Sequence, residues 1–122
     1  MRKVHYNNQP SPIEAVGNGS YLYRWGISQI EFECANGQGR SIAWECYQTL
    51  IGGLPTENLI TERVMDALWG GGVEQKLIND YNASLAGLLE EDAAEAYLDF
   101  LVERQALKVQ IAKDFAQWTN AM

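Results

Sequence analysis

The residues of this chain that could carry chemistry are few and lie far apart. There is one histidine, His5, and there are two cysteines, Cys34 and Cys46, with no CxxC or HxxxH spacing that would indicate a metal site. A serine or cysteine nucleophile needs a base beside it, and a lone histidine near the first residue is not a recognisable partner for one. We therefore expect no enzyme activity, no metal site and no cofactor.

Two short motifs have the composition of ligand-binding elements. Gly70-Gly71-Gly72 precedes a helical pattern, as a phosphate-binding loop does, but no Lys-Ser or Lys-Thr pair follows and a predicted helix precedes it. Glu90-Glu91-Asp92 has the charge to bind a cation or a basic partner, but acidic residues also favour the first turn of a helix. We interpret the glycines as a connector and the acidic residues as a turn that begins a helix.

Aromatic residues are dense in the first half of the chain. Tyr21, Tyr23 and Trp25 alternate along one predicted strand, and Trp44 and Tyr47 lie on another. Tyrosine and tryptophan are favoured at protein interfaces, so an open aromatic face would be a binding platform. If helices cover that face, the same residues form the core. Both alternatives are open from sequence, and the candidate interaction residues are Tyr21, Tyr23, Trp25 and Tyr47.

The net charge of −7 comes entirely from the second half of the chain. Residues 1–55 contain four basic and four acidic side chains, whereas residues 56–122 contain five basic and twelve acidic ones. Nucleic-acid-binding domains present a basic patch, so we expect no nucleic-acid partner. The acidic half either faces a basic partner or forms a solvated surface that keeps the protein soluble.

Length and hydropathy indicate one domain. The chain has 122 residues, of which 47% are hydrophobic, and this suits a single core. No run approaches the roughly 18 apolar residues of a membrane helix, so we expect no membrane partner. Residues 1–6 lack the apolar region of a signal peptide, and the expected location is the cytoplasm.

Residues 1–54 are predicted to form an antiparallel sheet. Short apolar runs at 4–6 and 13–16 flank a loop that contains two prolines, and Gly17-Asn18-Gly19 is a turn signal. From residue 21 onward the apolar positions are odd, and from residue 30 they are even. This change of parity predicts a bulge between Gly26 and Gln29.

A hairpin is predicted after this bulge. The register that places every large apolar group on one face pairs Cys34 with Ile42, Phe32 with Trp44 and Ile30 with Cys46. It leaves residues 37–39 as a three-residue loop, with Gly39 in the left-handed conformation. It also sets Glu31 opposite Glu45, where Arg40 or Arg24 would relieve the repulsion. The two cysteines are several ladder steps apart, so we expect no disulfide.

The helical half begins with a helix over residues 56–69. Thr56 is the predicted N-cap, and the glycines at 70–72 end the helix. Residues 73–118 are predicted to form an antiparallel helical hairpin, with Gly87 after the first arm and Asp92 as the N-cap of the second, in the capping-box relation to Glu95.

Apolar stripes define the faces of the two arms. The first arm carries Val73, Leu77, Ile78, Tyr81, Leu85 and Leu88, and the second carries Tyr97, Phe100, Leu101, Leu107, Ile111, Phe115 and Trp118. A smaller stripe of Val102, Val109, Ala112 and Ala116 predicts that the second arm is covered on two sides. The predicted fold is one α+β domain over residues 1–122, an antiparallel β-meander of three or four strands followed by one helix and the hairpin.

Three stretches of this sequence resemble small proteins encoded by phages and prophages of gut bacteria. They are Arg-Trp-Gly-Ile at 24–27, Val-Met-Asp-Ala-Leu-Trp-Gly at 64–70 and Lys-Leu-Ile-Asn-Asp-Tyr-Asn-Ala at 76–83. The similarity covers most of residues 20–118. Such proteins are encoded among late, tail-related genes, so the resemblance implies an accessory or assembly role in a phage particle. It carries over no functional residues.

The leading hypothesis is therefore a non-enzymatic protein that works by protein–protein contact, as an oligomer or in a complex. The alternative is an acidic inhibitor or immunity-type protein that masks a basic partner surface; it requires the acidic residues to cluster on one exposed face. A third class, an enzyme or small-molecule binder, requires a deep polar pocket with shifted pKa values, and no small-molecule substrate is indicated.

Overall fold

The structure is a computed structural model that describes residues 1–35, 37 and 39–121. All strands precede the helices, as predicted for an α+β protein. The strands are β1 (Val4–Tyr6), β2 (Ile13–Gly17), β3 (Ser20–Glu33) and β4 (Arg40–Gly52). The helices are α1 (Glu57–Trp69), α2 (Val73–Leu85) and α3 (Asp92–Asn120).

The strands form one antiparallel sheet in the order β1-β4-β3-β2. Strands β2, β3 and β4 form the predicted meander, but β1 lies beside β4 and not beside β2. The loop at residues 7–12 therefore crosses from one edge of the sheet to the other, which is a Greek-key arrangement.

The predicted bulge in β3 is confirmed. The pairing of β3 with β4 shifts register between Trp25 and Ser28. Gly26 has φ +63°, and a Cβ at this residue would lie 3.4 Å from Cδ2 of Tyr47. The glycine thus supplies both the left-handed backbone and the close approach that the bulge requires.

The predicted register of the hairpin beyond the bulge is wrong. Ile30 pairs with Ala43 and Phe32 with Ser41, three residues away from the expected partners Cys46 and Trp44. The prediction assumed one continuous buried face, whereas Phe32 and Ile42, which lie on opposite faces here, are 46% and 53% exposed. A strand pair with little buried surface has weakly specified register.

Because the register is shifted, the charged residues of the hairpin also have partners other than the predicted ones. Glu31 faces Ile42 and forms an ion pair with Arg40 at 3.3 Å, so the predicted contact between Glu31 and Glu45 is absent. Gly39 is left-handed as predicted, with φ +101°. Gln38, in the predicted three-residue loop, lies outside the described residues.

Local turn and cap signals are mostly confirmed. Asn18 and Gly19 have φ values of 54° and 73° and join β2 to β3. The Thr56 hydroxyl accepts a hydrogen bond from the backbone amide of Leu59 at 3.1 Å, as predicted for the N-cap of α1. Gly87 follows α2 at φ +77°, with the paired backbone bonds of a Schellman motif.

The predicted cap of α3 is wrong. Asp92 is the first residue of the helix and not its N-cap, and Glu91 at the N-cap makes no side-chain capping bond. The reciprocal capping box with Glu95 is therefore not formed.

The core lies between one face of the sheet, α1 and the C-terminal half of α3. Tyr23 and Ile51 from the sheet, Ile60 and Val64 from α1, and Ile111 from α3 are fully buried. Both α1 and α3 contact the sheet, α1 against β4 and α3 against β2. Within the described residues, no helix is both long enough and apolar enough to cross a membrane.

The two arms of the predicted hairpin differ in burial. Helix α2 has no buried residue, so its apolar stripe lies outside the core. Helix α2 contacts α3 through Tyr81 and Tyr97, whose ring centroids are 4.6 Å apart. The ring of Tyr97 in turn lies next to that of Phe100. An antiparallel hairpin over the whole of 73–118 stays a prediction.

Replacing Gly26 by alanine should destabilise the fold by roughly 1–2 kcal/mol, the cost of a left-handed conformation for a residue with a Cβ. Urea unfolding of the wild type and the variant measures this difference. Gly52→Ala is the matched control in β4, since Gly52 has no positive φ and open space around its Cα. Equal stability of the two variants would contradict the role assigned to Gly26.

Candidate functional site

The predicted aromatic platform is part of the core. Tyr21, Tyr23, Trp25 and Tyr47 lie on one face of the sheet, and α1 and α3 cover that face. Tyr23 is 0% and Trp25 5% exposed, while Tyr21 and Tyr47 pack against the core from its edge. Trp25 stacks between Tyr23 and Tyr47, with ring centroids 6.0 and 5.8 Å away. These residues are therefore not a free binding surface, and the core alternative is the correct one.

A buried carboxylate joins this aromatic face to α3. The Tyr23 hydroxyl donates to Oδ2 of Asp114 at 2.7 Å, and Nε2 of Gln110 donates to Oδ1 at 2.8 Å. Sequence analysis missed Asp114, although it follows Ile111 by three residues and so lies on the core side of the helix. A polar residue in an apolar stripe was the signal.

The Tyr23–Asp114 pair is suited to holding structure together. Burial, followed by the hydrogen bond to Asp114, raises the pKa of Tyr23, so the hydroxyl keeps its proton as a donor at neutral pH. A tyrosine that holds its proton this firmly does not act as a base. Its role is to satisfy a carboxylate that would otherwise be buried with one hydrogen bond fewer.

A second buried polar group lies on the opposite face of the sheet. Arg24 is buried, and its guanidinium donates to Glu14 at 2.7 Å, to the carbonyl of Ser11 at 3.0 Å and to the hydroxyl of Tyr6 at 3.1 Å. These contacts tie β1, the crossing loop and β2 to β3. Arg24 is thus fully engaged in holding the Greek-key crossing in place.

The cysteines and the histidine each have separate neighbours. Cys46 is fully buried, and burial raises the pKa of its thiol, which opposes thiolate formation. The Cys34 sulfur lies 3.1 Å from the hydroxyl of Ser41. The imidazole of His5 is 3.6 Å from the carboxylate of Glu45. Both cysteines are free thiols.

A wide groove of about 810 Å³ runs between α1 and α3. Trp69 and Met65 provide its apolar part. Its charged lining consists of Arg63, Arg104, Lys108, Glu62, Asp66 and Glu74. The three cations and three carboxylates balance, so the groove has no net charge that would select an ionic ligand. Tyr23, with its raised pKa, lies outside this groove.

Exposed apolar side chains concentrate in α2, α3 and the turn between them. Leu85, Leu88 and Leu89, here called the turn leucines, occupy the end of α2 and the turn, and Leu88 is 78% exposed. Leu98, Val102 and Val109 are exposed along α3, on the side away from the core. Contiguous exposed apolar groups mark interaction sites more often than single ones do.

The same end of the molecule is acidic. No lysine or arginine occurs between Lys76 and Arg104, whereas this stretch contains seven carboxylates. They are Asp80, Glu90, Glu91, Asp92, Glu95, Asp99 and Glu103. All but Asp80 are exposed. The turn leucines are therefore surrounded in sequence by negative charge.

Metal-binding side chains do not converge in the described part of the chain, since no group of three or more His, Cys, Asp or Glu residues is placed to hold one ion. Comparison of the chain with protein-family models, curated proteins and solved structures finds no match.

Tyr23→Phe removes the hydroxyl that donates to Asp114 and should lower the free energy of unfolding by about 1–3 kcal/mol, because the buried carboxylate loses a donor. Urea unfolding at neutral pH measures the change. Tyr81→Phe is the matched control: its ring also stacks on a neighbour, and its hydroxyl has no hydrogen bond among the described residues. That control should change stability by less than about 0.5 kcal/mol.

Alkaline pH tests the same bond independently. The folded pKa of Tyr23 is raised above its ordinary value of 10.0, so its contribution to stability is complete below pH 10.0 and is lost as the pH rises toward the folded value. The stability advantage of the wild type over Tyr23→Phe should therefore shrink above that pH. An advantage that grows with alkaline pH would contradict this assignment.

Proposed function

We propose that the protein is a non-enzymatic accessory protein that binds other proteins through the end of its helical layer. The observation that carries this proposal is the exposure of Leu85, Leu88 and Leu89 at the α2–α3 turn. Covering a leucine side chain stabilises a complex by roughly 1.5–3 kcal/mol when burial is complete. Three exposed leucines within residues 85–89 can therefore serve as the centre of a small interface with a polar rim.

The proposal includes an assembly role of the phage or prophage tail type. Its support is the sequence resemblance at residues 24–27, 64–70 and 76–83. The last stretch lies in α2, directly before the turn leucines. In this role the protein is located in the cytoplasm during assembly, and in the phage particle if it is incorporated there.

A second candidate is an acidic inhibitor or immunity-type protein that masks a basic surface of its partner. The uninterrupted negative charge between Lys76 and Arg104 favours it. The two candidates share one surface and differ in the force that dominates binding there. Apolar contact depends little on salt, whereas attraction between an acidic and a basic surface is screened by it.

A photo-crosslinking amino acid placed at Leu88, in the full chain expressed in its native host, should capture a defined second protein. Position 54 is the matched control, because Leu54 is similarly exposed at 68% but lies in the link between β4 and α1. Mass spectrometry identifies the captured protein. Its recovery from position 88 and not from position 54 is the expected result.

Equal capture at both positions, or capture at position 54 alone, would contradict the proposed surface. With the partner identified, binding at low and at high ionic strength separates the two candidates. A steep loss of affinity in salt supports masking of a basic surface, and a small change supports apolar assembly contact. Recovery of the chain in purified particles from the induced prophage tests the tail-related role.

A further inference from the structure

The outward side of α3 has a regular apolar pattern that the fold does not use. Six residues there follow one another at intervals of four and three, which is the spacing of a coiled-coil seam. This outer stripe consists of Leu98, Val102, Gln105, Val109, Ala112 and Ala116. At about 100° per residue it lies on the opposite side of the helix from Phe100, Leu107 and Ile111, which face the interior.

The outer stripe is open to solvent in the single chain. Val102 is 71%, Val109 59% and Leu98 53% exposed. The periodicity predicts a helix covered on two sides, but the described residues cover only one. Helix α2 packs against Tyr97, which lies about 100° around the α3 axis from the centre of the outer stripe. The outer stripe is therefore not covered by α2.

We propose that the outer stripe binds the same stripe of a second copy, with the two α3 helices antiparallel. This deepens the proposed function, on which it rests, by naming one partner and the surface that receives it. The seam spans residues 98–116, about 27 Å of helix. The turn leucines lie outside the seam and stay free for another protein.

Side-chain size favours the antiparallel direction. With a two-fold axis near residue 107, Leu98 of one copy faces Ala116 of the other, and Val102 faces Ala112. Each of these layers pairs a large side chain with a small one, so the two helices stay evenly spaced. A parallel pair would set Leu98 against Leu98 and Ala116 against Ala116, which leaves the helices splayed at one end. Gln105 falls in the central layers, where a polar residue helps to specify register.

Charge favours the same direction. The flanking residues Asp99 and Lys113 are exposed, and neither forms an ion pair within the part of the chain described here. The antiparallel arrangement places Asp99 of each copy beside Lys113 of the other, twice in the dimer. A parallel pair would instead set the acidic N-terminal halves side by side. Antiparallel helices also oppose their macrodipoles favourably.

The other flank of the stripe does not oppose this arrangement. Lys108 turns toward the groove between α1 and α3, where Glu62 and Asp66 lie. Its side chain therefore lines the same groove as these two carboxylates. Leu101, on the same flank, is 40% exposed and extends the apolar area.

Sedimentation equilibrium of the purified full chain tests the proposal without any other protein. The mass should rise with concentration from 13.7 kDa to twice that value. Val102→Glu with Val109→Glu should weaken the dimer about 100-fold or more, because two carboxylates from each copy, four in all, would enter the seam. Val73→Glu in α2 is the matched control, since Val73 is also exposed and lies outside the seam. Circular dichroism confirms that the variants stay folded.

Charge reversal tests the direction of the pair. Asp99→Lys and Lys113→Asp should each weaken the dimer on the order of 10-fold, and the two together should restore it. A strict monomer at all concentrations would overturn the proposal, as would a dimer that tolerates glutamates at residues 102 and 109. A dimer that the double reversal fails to restore overturns the antiparallel arrangement. Photo-capture at Leu88 is unaffected by these outcomes, so failure here and failure of the proposed function are distinguishable.

Discussion

The hydrogen bond between Tyr23 and Asp114 is the constraint on which the rest of the arrangement depends. It joins the middle strand of the meander to a helix 91 residues later in the chain. This bond and the fully buried side chain of Ile111 together hold the C-terminal half of α3 on the aromatic face of the sheet. That face is consequently core, and the N-terminal half of α3 extends beyond it to contact α2. Helix α2 lies outside the core and contacts this part of α3 through Tyr81 and Tyr97.

The two buried polar clusters lie on opposite faces of the sheet. Tyr23 and Asp114 hold the helices on one face, and Arg24 holds the crossing loop on the other. The polar groups of these two clusters are occupied with structural hydrogen bonds. The acidic turn with its leucines and the outer side of α3 carry exposed apolar side chains. Both belong to the helical layer, and both are suited to binding proteins by apolar contact with a charged surround.

Much of the local structure was predictable because it depends on few neighbouring residues. Gly26, the Asn18-Gly19 turn, the Thr56 cap and Gly87 each act within about one turn of chain. The hairpin register failed for the opposite reason: it was inferred from a continuous buried face, but Phe32 and Ile42 at this end of the hairpin are exposed. The candidate site was predicted poorly as well. The aromatic residues were correctly singled out as unusual, but whether helices cover them depends on contacts far away in sequence.

Side-chain spacing predicted three or four strands, three helices and two apolar sides on α3, because the period of the side chains is a local property. Only the tertiary structure decided which of those sides is buried and that α2 lies outside the core. The physical reason is that the sheet offers helices one aromatic face of limited area, and α1 with half of α3 fills it. Apolar residues beyond that area stay in solvent whatever their spacing. The outer stripe and the turn leucines are what remains uncovered.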